Sequence, residues 1–284
     1  MLKKGGFVES GLYVVATPIG NLGDMSPRAV EILQQADLIA AEDTRHSQRL
    51  LAHFGIATPL IAYHDHSDSR SVGKIDQCLR TGGIVALVSD AGTPLISDPG
   101  YRLVRFAHEH FYPVRSIPGP CAAIAALSVS GLATDRFYFE GFLPAKKNAR
   151  ENRLAALETE SATLIFYEAP HRILDSLVSL ECIFGGEREV MMAREITKAF
   201  ETIKHGTASQ LVGFVREDSN QQRGEIVLVV AGKPKIDAQL DESTAVLLRR
   251  LAEELPAKRA AAVVADLTGL RKKVLYQFLL DEKS

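Results

Sequence analysis

The chain has 284 residues, 46% of them hydrophobic, which is enough for two medium-sized globular domains with sizeable cores. Its 33 Lys and Arg residues nearly balance 35 Asp and Glu residues, so the net charge of -2 excludes a uniformly basic nucleic-acid-binding protein. Three widely separated cysteines, Cys78, Cys121 and Cys182, predict reduced thiols rather than a disulfide framework. Because neither a secretory leader nor a membrane-length apolar run is present, we expect a cytoplasmic protein.

Residues 1–131 are predicted to form an α/β domain in which short apolar strands alternate with helices. Ser26-Pro27 supplies an N-cap and first-turn proline for one helix, and Gly55 is the stop signal of the next. This alternation favours a mainly parallel sheet, whose strand-end loops share the edge where ligands bind in such folds. The predicted strands are residues 12–17, 38–41, 60–62, 84–88 and 114–117.

The loop after the fourth strand, Ser89 to Gly100, is rich in glycine and proline and carries two aspartates. Such a loop has a fixed path and can turn backbone N–H groups and carboxylates toward a ligand. Asp90 directly follows the strand and is the candidate ligand contact. Asp98, followed by Pro99, is expected to start the next helix, which runs to Phe111.

Residues 132–235 are predicted to form a second α/β domain with strands near residues 137–139, 163–167, 190–193, 200–204 and 225–231. Two of its strands end in loops that pair a carboxylate with a cation, at Glu168 to Arg172 and at Arg194 to Lys198. Glu42 to Arg45 does the same in the first domain. Each loop fits either a local helix cap with an ion pair or a substrate-binding and proton-handling group.

Residues 236–284 are predicted to form a small helical subdomain, with helices at 246–255, 259–267 and 272–280. Its stretch from Arg249 to Lys273 holds seven basic residues against three acidic ones. A basic helix-turn-helix unit is a candidate RNA or DNA contact, and the alternative is a capping subdomain that seals the second sheet or a dimer interface.

Other cofactor and metal motifs are missing from the sequence. Residues 18–23 lack the first glycine of a dinucleotide fingerprint, and there is neither a phosphate-binding P-loop nor a serine-hydrolase elbow. His64 and His66 lie near the predicted ligand edge and are possible substrate contacts. They have no metal-site spacing, so no metal is expected.

Eight segments, taken together and in order, resemble the tetrapyrrole-methylase superfamily of S-adenosylmethionine-dependent methyltransferases. The match is to its bacterial branch that methylates the 2′-hydroxyl of a cytidine in 16S ribosomal RNA. The resemblance implies two α/β domains with S-adenosylmethionine in the cleft between them, a homodimer, and 16S rRNA or the 30S subunit as partner. The segments are residues 12–29, 40–51, 87–104, 116–127, 135–147, 165–173, 194–201 and 224–232.

The resemblance also implies cofactor-binding residues, namely Pro18, Gly20, Asp90, Thr93, Cys121, Ala122, Tyr167 and Glu168. Removing the proton of a ribose hydroxyl calls for a carboxylate, or for a lysine with a lowered pKa. The candidate catalytic residues are therefore Glu42, Asp43, Glu195 and Lys198. RNA contacts are expected from Arg45, His64, Arg172 and Arg194, where guanidinium groups suit phosphate oxygens.

Ser89-Asp90-Ala91 stands where tetrapyrrole-specific members carry a Gly-Asp-Pro motif. This departure, together with the residues Glu42 to Arg45, favours an RNA substrate over a porphyrinoid one. Methylation of a tetrapyrrole or another small molecule on the same fold is the alternative, and a non-catalytic RNA- or nucleotide-binding protein is a third hypothesis.

Overall fold

A computed structural model describes residues 8–64, 69–234 and 242–282 of the chain; the predicted contact His66 lies outside these ranges. Contacts divide the chain into two compact units, one ending at Gly232 and one starting at Lys233. The first unit holds two five-stranded sheets. The further division of this unit near residue 131 stays a prediction. Within the described ranges, no helix is both long and apolar enough to span a membrane.

The first sheet is entirely parallel and has the strand order β3-β2-β4-β1-β5, which confirms the predicted α/β class. Its central strand β4 is buried along most of its length, as a continuous apolar run in a parallel sheet requires. All five carboxyl ends therefore lie at one edge. The strands are β1 (Gly11–Val15), β2 (Leu38–Ala41), β3 (Leu60–Ala62), β4 (Ile84–Val88) and β5 (Val114–Ile117).

Five helices connect and follow these strands. The Ser26 hydroxyl accepts the Ala29 N–H at 3.1 Å and Pro27 occupies the first turn, so the predicted start of the first helix is confirmed. The helices are α1 (Pro27–Gln35), α2 (Thr44–His53), α3 (Ser69–Arg80), α4 (Tyr101–Glu109) and α5 (Ala122–Val129).

The predicted start of α4 at Asp98 or Pro99 is wrong. The helix begins at Tyr101, and its N-cap is Gly100, which has a φ of 131° and provides no side-chain cap. Leu95 and Ser97 adopt positive φ angles of 74° and 65°, which keep this stretch out of helical geometry. Asp98 consequently stays in the loop at the edge of the sheet.

The second sheet is mixed, with the order β6-β7-β10-β8-β9. Only β6 and β7 are parallel, and the other neighbours are antiparallel. β6 extends beyond the predicted strand, with a register shift between Phe139 and Gly141. The strands are β6 (Phe137–Phe142), β7 (Thr163–Glu168), β8 (Glu189–Arg194), β9 (Thr202–Thr207) and β10 (Ile226–Val230).

Three helices, α6 (Lys147–Leu157), α7 (Ile173–Phe184) and α8 (Ala208–Glu217), accompany the second sheet. Its core includes Phe166 and Leu228, both fully buried. The prediction placed β9 at residue 200, two residues too early. The chain first passes through a loop in which Glu195 and Thr197 have positive φ angles of 53° and 68°.

Helix α5 joins the two sheets. It follows β5 of the first sheet in sequence, yet Ala126 and Leu127 belong to a buried cluster with Ile165, Met191 and Val229 of the second sheet. Apolar residues on several faces of this helix make such packing possible. The carboxyl edge of the first sheet is thereby held beside the second sheet.

The second unit contains helices α9 (Glu242–Glu254), α10 (Ala257–Thr268) and α11 (Lys272–Asp281), which confirms the predicted helical subdomain. Leu248, Val264 and Leu275 are fully buried in its own apolar cluster. The chain turns between α10 and α11 at Gly269, as the sequence predicts.

Candidate active site

Three loops at the carboxyl edge of the first sheet are bonded to one another. Thr17 and Gly92 exchange two backbone hydrogen bonds of 2.8 and 3.1 Å, which join the loops after β1 and β4. The Thr93 hydroxyl donates to the Pro120 carbonyl at 2.8 Å and joins the loop after β4 to the turn after β5. The edge is thus a preformed surface rather than separate loops.

A cavity of about 370 Å³ lies between this edge and the second sheet. Its volume falls within the range of small-molecule sites, about 300–1,000 Å³. The walls combine apolar side chains with a few carboxylates and polar groups. Lining residues are Ile19, Ala91, Gly92, Thr93, Ile96, Ser97, Asp98, Cys121, Ala122, Phe142, Tyr167, Glu168, Ala169, Pro170, Ile196, Gly224, Glu225, Ile226 and Val227.

Tyr167 connects the two halves of the cavity. Its hydroxyl oxygen accepts the Ala123 N–H of α5 at 3.1 Å, and its ring meets Phe139 and Phe142 edge-on. Burial, with a smaller contribution from Cys121, raises the pKa of Tyr167 above its ordinary value. The phenol therefore stays neutral. Phe142 was not predicted as a site residue, because only the fold brings it beside Tyr167.

Five of the eight predicted cofactor residues line the cavity: Thr93, Cys121, Ala122, Tyr167 and Glu168. The other three, Pro18, Gly20 and Asp90, lie near it without lining it. Asp90 accepts the backbone N–H of Asp43 at 3.0 Å and so links the loops after β4 and β2. The cofactor roles of these residues stay predictions.

Glu168 and Arg172 form a buried ion pair of 2.6 Å, with side chains 1% and 18% exposed. Glu168 also accepts the Ala169 N–H at 2.7 Å and the Ser176 hydroxyl at 2.5 Å. Arg172 donates to the Leu143 carbonyl at 3.3 Å. Both residues are thus engaged in holding the start of α7 against β7, and their predicted ligand contacts stay predictions.

The other predicted RNA contacts differ in exposure. Arg194 is buried and donates to the Gln221 amide oxygen, the Phe200 carbonyl and the Thr202 hydroxyl, at 3.0 to 3.1 Å. It therefore secures the loop between β8 and β9. Arg45 is 90% exposed and pairs with Asp43 at 3.1 Å. His64 is also exposed.

Lys198 lies between two carboxylates beside the cavity. Its Nζ donates to Glu195 at 2.7 Å and to Glu225 at 3.0 Å. The aliphatic part of Lys198 packs so closely on Gly20 that a side chain at position 20 would overlap it. Lys198 therefore brings the β8–β9 loop against the loop after β1.

Glu195 and Lys198 are both charged. Burial acts to raise the pKa of Glu195, but hydrogen bonds from Lys198 and the Glu225 N–H lower it below the ordinary value. Burial likewise opposes the charge on Lys198, but the two carboxylates raise its pKa above the ordinary value. A proton-accepting lysine requires a lowered pKa, so the geometry favours Lys198 as a fixed cation.

Replacing Lys198 with methionine is expected to destabilise the protein by about 1 kcal/mol at pH 7. Because the folded-state pKa of Glu195 is lowered, its contribution is present above the unfolded value near 4.5 and is lost as the pH falls through the folded value. The difference between wild type and K198M should therefore shrink below about pH 4.5. Urea unfolding at pH 7 and at pH 4 measures the difference in unfolding free energy between wild type and K198M. An equal difference at the two pH values would contradict the pairing of Glu195 with Lys198.

Three further acids lie along the edge of the first sheet. Hydrogen bonds from Arg45 lower the pKa of Asp43 to about 2, and Asp43 caps α2, which is the helix-cap alternative for this loop. Burial, with Asp90 and Asp98 nearby, raises the pKa of Glu42. Burial also raises the pKa of Asp98, although a Ser89 hydrogen bond opposes this shift. Asp98 was missed as a site residue because its Asp-Pro sequence is also typical of a helix start.

Cys78, Cys121 and Cys182 are free thiols, as predicted. In the described ranges, no group of three His, Cys, Asp or Glu side chains is arranged to hold a metal ion.

Residues 11–212 match the family model described as Tetrapyrrole (Corrin/Porphyrin) Methylases. The chain belongs to the tetrapyrrole methylase family. Residues 238–283 match a second model, described as the RsmI C-terminal HTH domain, which covers all three helices of the second unit.

Two curated proteins named ribosomal RNA small subunit methyltransferase I resemble this tetrapyrrole methylase over nearly its whole length. The Pseudomonas aeruginosa protein is 53% identical, with 96% of this chain and 97% of that protein covered. The Escherichia coli O157:H7 protein is 50% identical, with 97% and 96% covered.

Solved structures share the fold at low sequence identity. A uroporphyrin-III-C-methyltransferase from Thermus thermophilus superposes with a TM-score of 0.54 at 19% identity, covering 78% of this chain and 93% of its own. A diphthine synthase superposes with a TM-score of 0.56 at 14% identity, covering 78% and 89%. These likenesses establish the two-sheet methylase fold.

S-adenosylmethionine is the cofactor of this methylase. The cavity fits such a molecule chemically, because the apolar residues Ile19, Ile96 and Val227 suit an adenine ring and the carboxylates of Asp98 and Glu225 suit its positive groups. Thr93 and Tyr167 supply hydroxyl groups in the same walls. When bound, the cofactor supplies an electrophilic methyl group.

Proposed function

We propose that this methylase transfers a methyl group to the 2′-hydroxyl of a cytidine ribose in 16S ribosomal RNA of the small subunit. The observation that carries the proposal is the 50–53% identity, over almost the whole chain, to proteins named for methylation of small-subunit rRNA. The replacement of a Gly-Asp-Pro motif by Ser89-Asp90-Ala91 is in keeping with an RNA substrate.

The chain supplies position and charge rather than covalent chemistry. The three bonded loops and the Tyr167 contact fix the walls of the cavity, so that a bound methyl donor is presented to the acceptor in one orientation, and such alignment supplies most of the rate enhancement of an in-line displacement. Apolar walls keep water away from the reacting atoms. Exposed Arg45 and His64 are suited to contact the RNA outside the cavity.

Methylation of a tetrapyrrole or another small molecule is the alternative. It draws support from the family model and from the fold shared with a uroporphyrin-III-C-methyltransferase. A cavity that encloses both the cofactor and its substrate would favour this small-molecule alternative. A cavity that encloses only the cofactor would leave the substrate outside, as an RNA substrate requires.

Tritiated S-adenosylmethionine tests the two functions directly. We expect label in 30S subunits or 16S rRNA from cells lacking the enzyme, and none in uroporphyrinogen. Nuclease digestion and chromatography should identify a 2′-O-methylcytidine. Label in uroporphyrinogen alone, or on a base, would refute the proposal, and comparing naked rRNA with 30S subunits identifies the form that is methylated.

We also propose that the methylase is a cytoplasmic homodimer. β6 is an edge strand of its sheet, and its Phe137 and Tyr138 side chains are 45% and 43% exposed. Aromatic groups at a sheet edge suit a self-complementary contact. Sedimentation equilibrium should give twice the chain mass of 31.0 kDa, and a monomer at micromolar concentration would refute the dimer.

The second unit supplies a candidate RNA-binding surface. Lys258 and Arg259 are exposed in the first turn of α10, and Lys272 and Lys273 are exposed in the first turn of α11. Among the residues the structure describes, these four form no salt bridge, whereas Arg249 pairs with Glu242 and Glu282. Cations without acidic partners at helix starts suit phosphate oxygens, so we propose that this unit binds rRNA.

Replacing Lys272 and Lys273 with glutamine should weaken RNA binding and lower its salt dependence. Loss of two phosphate contacts reduces the slope of log affinity against log salt by about 1.4 for single-stranded RNA. Filter binding at several salt concentrations measures the slope. The matched control replaces Arg80 and Arg105, two exposed arginines of the first unit, and should leave it unchanged. Equal slopes for all proteins would refute this RNA contact.

A further inference from the structure

The loop between β8 and β9 carries an exposed aromatic ring at the rim of the cavity. Ile196 of this loop lines the cavity wall, whereas Phe200, further along the same loop, does not line it and is 76% exposed. The ring is therefore available to a partner that lies outside the cavity.

Buried Arg194 connects this loop to the segment before β10, residues 218–225. Its guanidinium donates to the Phe200 carbonyl at 3.0 Å and to the Gln221 side chain at 3.1 Å. In the same segment as Gln221, Arg223 is exposed. Phe200 and Arg223 therefore belong to two neighbouring stretches of chain that one buried arginine holds together.

Glu195 joins the same two stretches closer to the cavity. Its N–H donates to the Glu225 carbonyl at 2.9 Å, and its carboxylate accepts the Glu225 N–H at 2.9 Å. Gly224 permits this approach, because a Cβ there would overlap the Glu195 side chain. Glu195 and Thr197 also hold positive φ angles of 53° and 68°. Such strain persists only where the surrounding structure imposes it, and it clusters at functional sites.

The exposed charges of these two stretches differ in how far they are neutralised. Glu225 pairs with Lys198 at 3.0 Å, and the Glu201 carboxylate accepts the Thr197 N–H at 2.6 Å. Arg223, in contrast, forms no salt bridge with any acid in the described ranges. Its guanidinium group is therefore open to a phosphate, which it can bind in a bidentate manner.

We propose that Phe200 and Arg223 form a contact for the substrate RNA, with the Phe200 ring stacked on a nucleobase beside the target nucleotide and Arg223 on a phosphate. This inference rests on the proposed function and extends it to the second sheet. Base stacking on aromatic rings and cations that follow the phosphates are how proteins hold single-stranded RNA. Arg45, at the edge of the first sheet, would hold the same strand on the other side of the cavity.

Replacing Phe200 tests the stacking contact. In Phe200→Ala, we expect KM for 30S subunits in the tritium assay to rise about 5- to 150-fold, the range that base stacking supplies. Both kcat and S-adenosylmethionine affinity should change less than about threefold, because the ring lies outside the cavity. Phe200→Trp keeps an aromatic face and should retain the wild-type KM, whereas Phe200→Leu should lose as much as alanine. The matched control is Phe111→Ala, which removes a 94% exposed ring ahead of β5, at the opposite edge of the first sheet.

Replacing Arg223 with glutamine tests the phosphate contact. Loss of one phosphate contact should reduce the slope of log affinity against log salt by about 0.7 for single-stranded RNA. Phe200→Ala should weaken binding without changing this slope, because stacking neutralises no phosphate. Co-sedimentation with 30S subunits at several salt concentrations measures both. The control is Arg136→Gln: Arg136 is exposed and precedes β6, which runs parallel to β7, so it lies at the end of the sheet away from Glu168.

Several outcomes would overturn this RNA contact. They are a wild-type KM in Phe200→Ala, a loss confined to S-adenosylmethionine affinity, or a wild-type KM in Phe200→Leu, which would show that stacking is not involved. A change of oligomeric state in Phe200→Ala would assign the ring to a contact between copies of the chain. Thermal unfolding of each variant identifies a folding defect. Failure of the proposed function is distinguishable, since wild-type enzyme would then label neither 30S subunits nor 16S rRNA.

Discussion

Replacing Glu168 with glutamine should lower the free energy of unfolding by about 3 kcal/mol. The carboxylate is 1% exposed and pairs with an Arg172 side chain that is only 18% exposed. Removing one partner of such a pair leaves a largely buried charge without its counter-ion, which costs about 3–5 kcal/mol. Within the described residues, the Nε of Arg172 already lacks a hydrogen-bond acceptor, so the guanidinium has few acceptors that could replace the Glu168 carboxylate. Urea unfolding at pH 7 measures the change.

An exposed pair with the same spacing is the matched control. Glu109 pairs with Arg105 at 2.8 Å, but the side chains are 55% and 64% exposed. Glu109→Gln should therefore cost less than about 1 kcal/mol. The double variant E168Q with Arg172→Met should recover part of the loss, because it removes the unpaired charge. A loss in E168Q no larger than in E109Q would contradict the buried-pair interpretation.

Replacing Gly92 with valine should weaken S-adenosylmethionine binding about 100-fold, or about 2.7 kcal/mol. Gly92 has a φ of 80°, and a Cβ there would lie 3.3 Å from the Ile19 side chain in the cavity wall. Valine is strained at this φ, and relieving the strain would break the two hydrogen bonds with Thr17 that join the edge loops. Isothermal titration calorimetry measures the affinity.

Gly55 provides the control for backbone strain alone. Its φ is 64°, and a Cβ there would meet nothing within 4 Å. Gly55→Val should therefore lose stability through strain at the end of α2 while binding S-adenosylmethionine like wild type. Equal losses of affinity in both variants would show that the effect comes from general destabilisation rather than from the loop beside the cavity.

The architecture was largely predictable because it depends on local patterns. Short apolar strands alternating with helices predict the parallel sheet, and a Ser-Pro pair predicts the start of α1, since hydrophobic period and capping chemistry are local properties. Five of the cofactor residues implied by the family resemblance line the cavity, and each lies at the end of a strand or in the segment that follows one.

The rest of the site depends on contacts between distant segments. Asp98 was assigned to a helix start because positive φ angles at Leu95 and Ser97 have no signature in those residue types. Phe142 reaches Tyr167 only through the pairing of β6 with β7. Arg194 resembles an exposed phosphate contact in sequence, and only its three protein acceptors identify a buried anchor.

Helix α5 limits the ways in which a ligand can enter the cavity. Its first residue and its N-cap, Ala122 and Cys121, form part of the wall, while Ala126 and Leu127 are packed in the core of the second sheet. Hinging the sheets apart would pull these side chains into water, at roughly 1.5–3 kcal/mol for each large one. Moving the β8–β9 loop requires less free energy, because Lys198 of this loop and Glu225 can exchange their mutual contact for water. We therefore expect a ligand to enter when this loop moves, while the two sheets stay packed together.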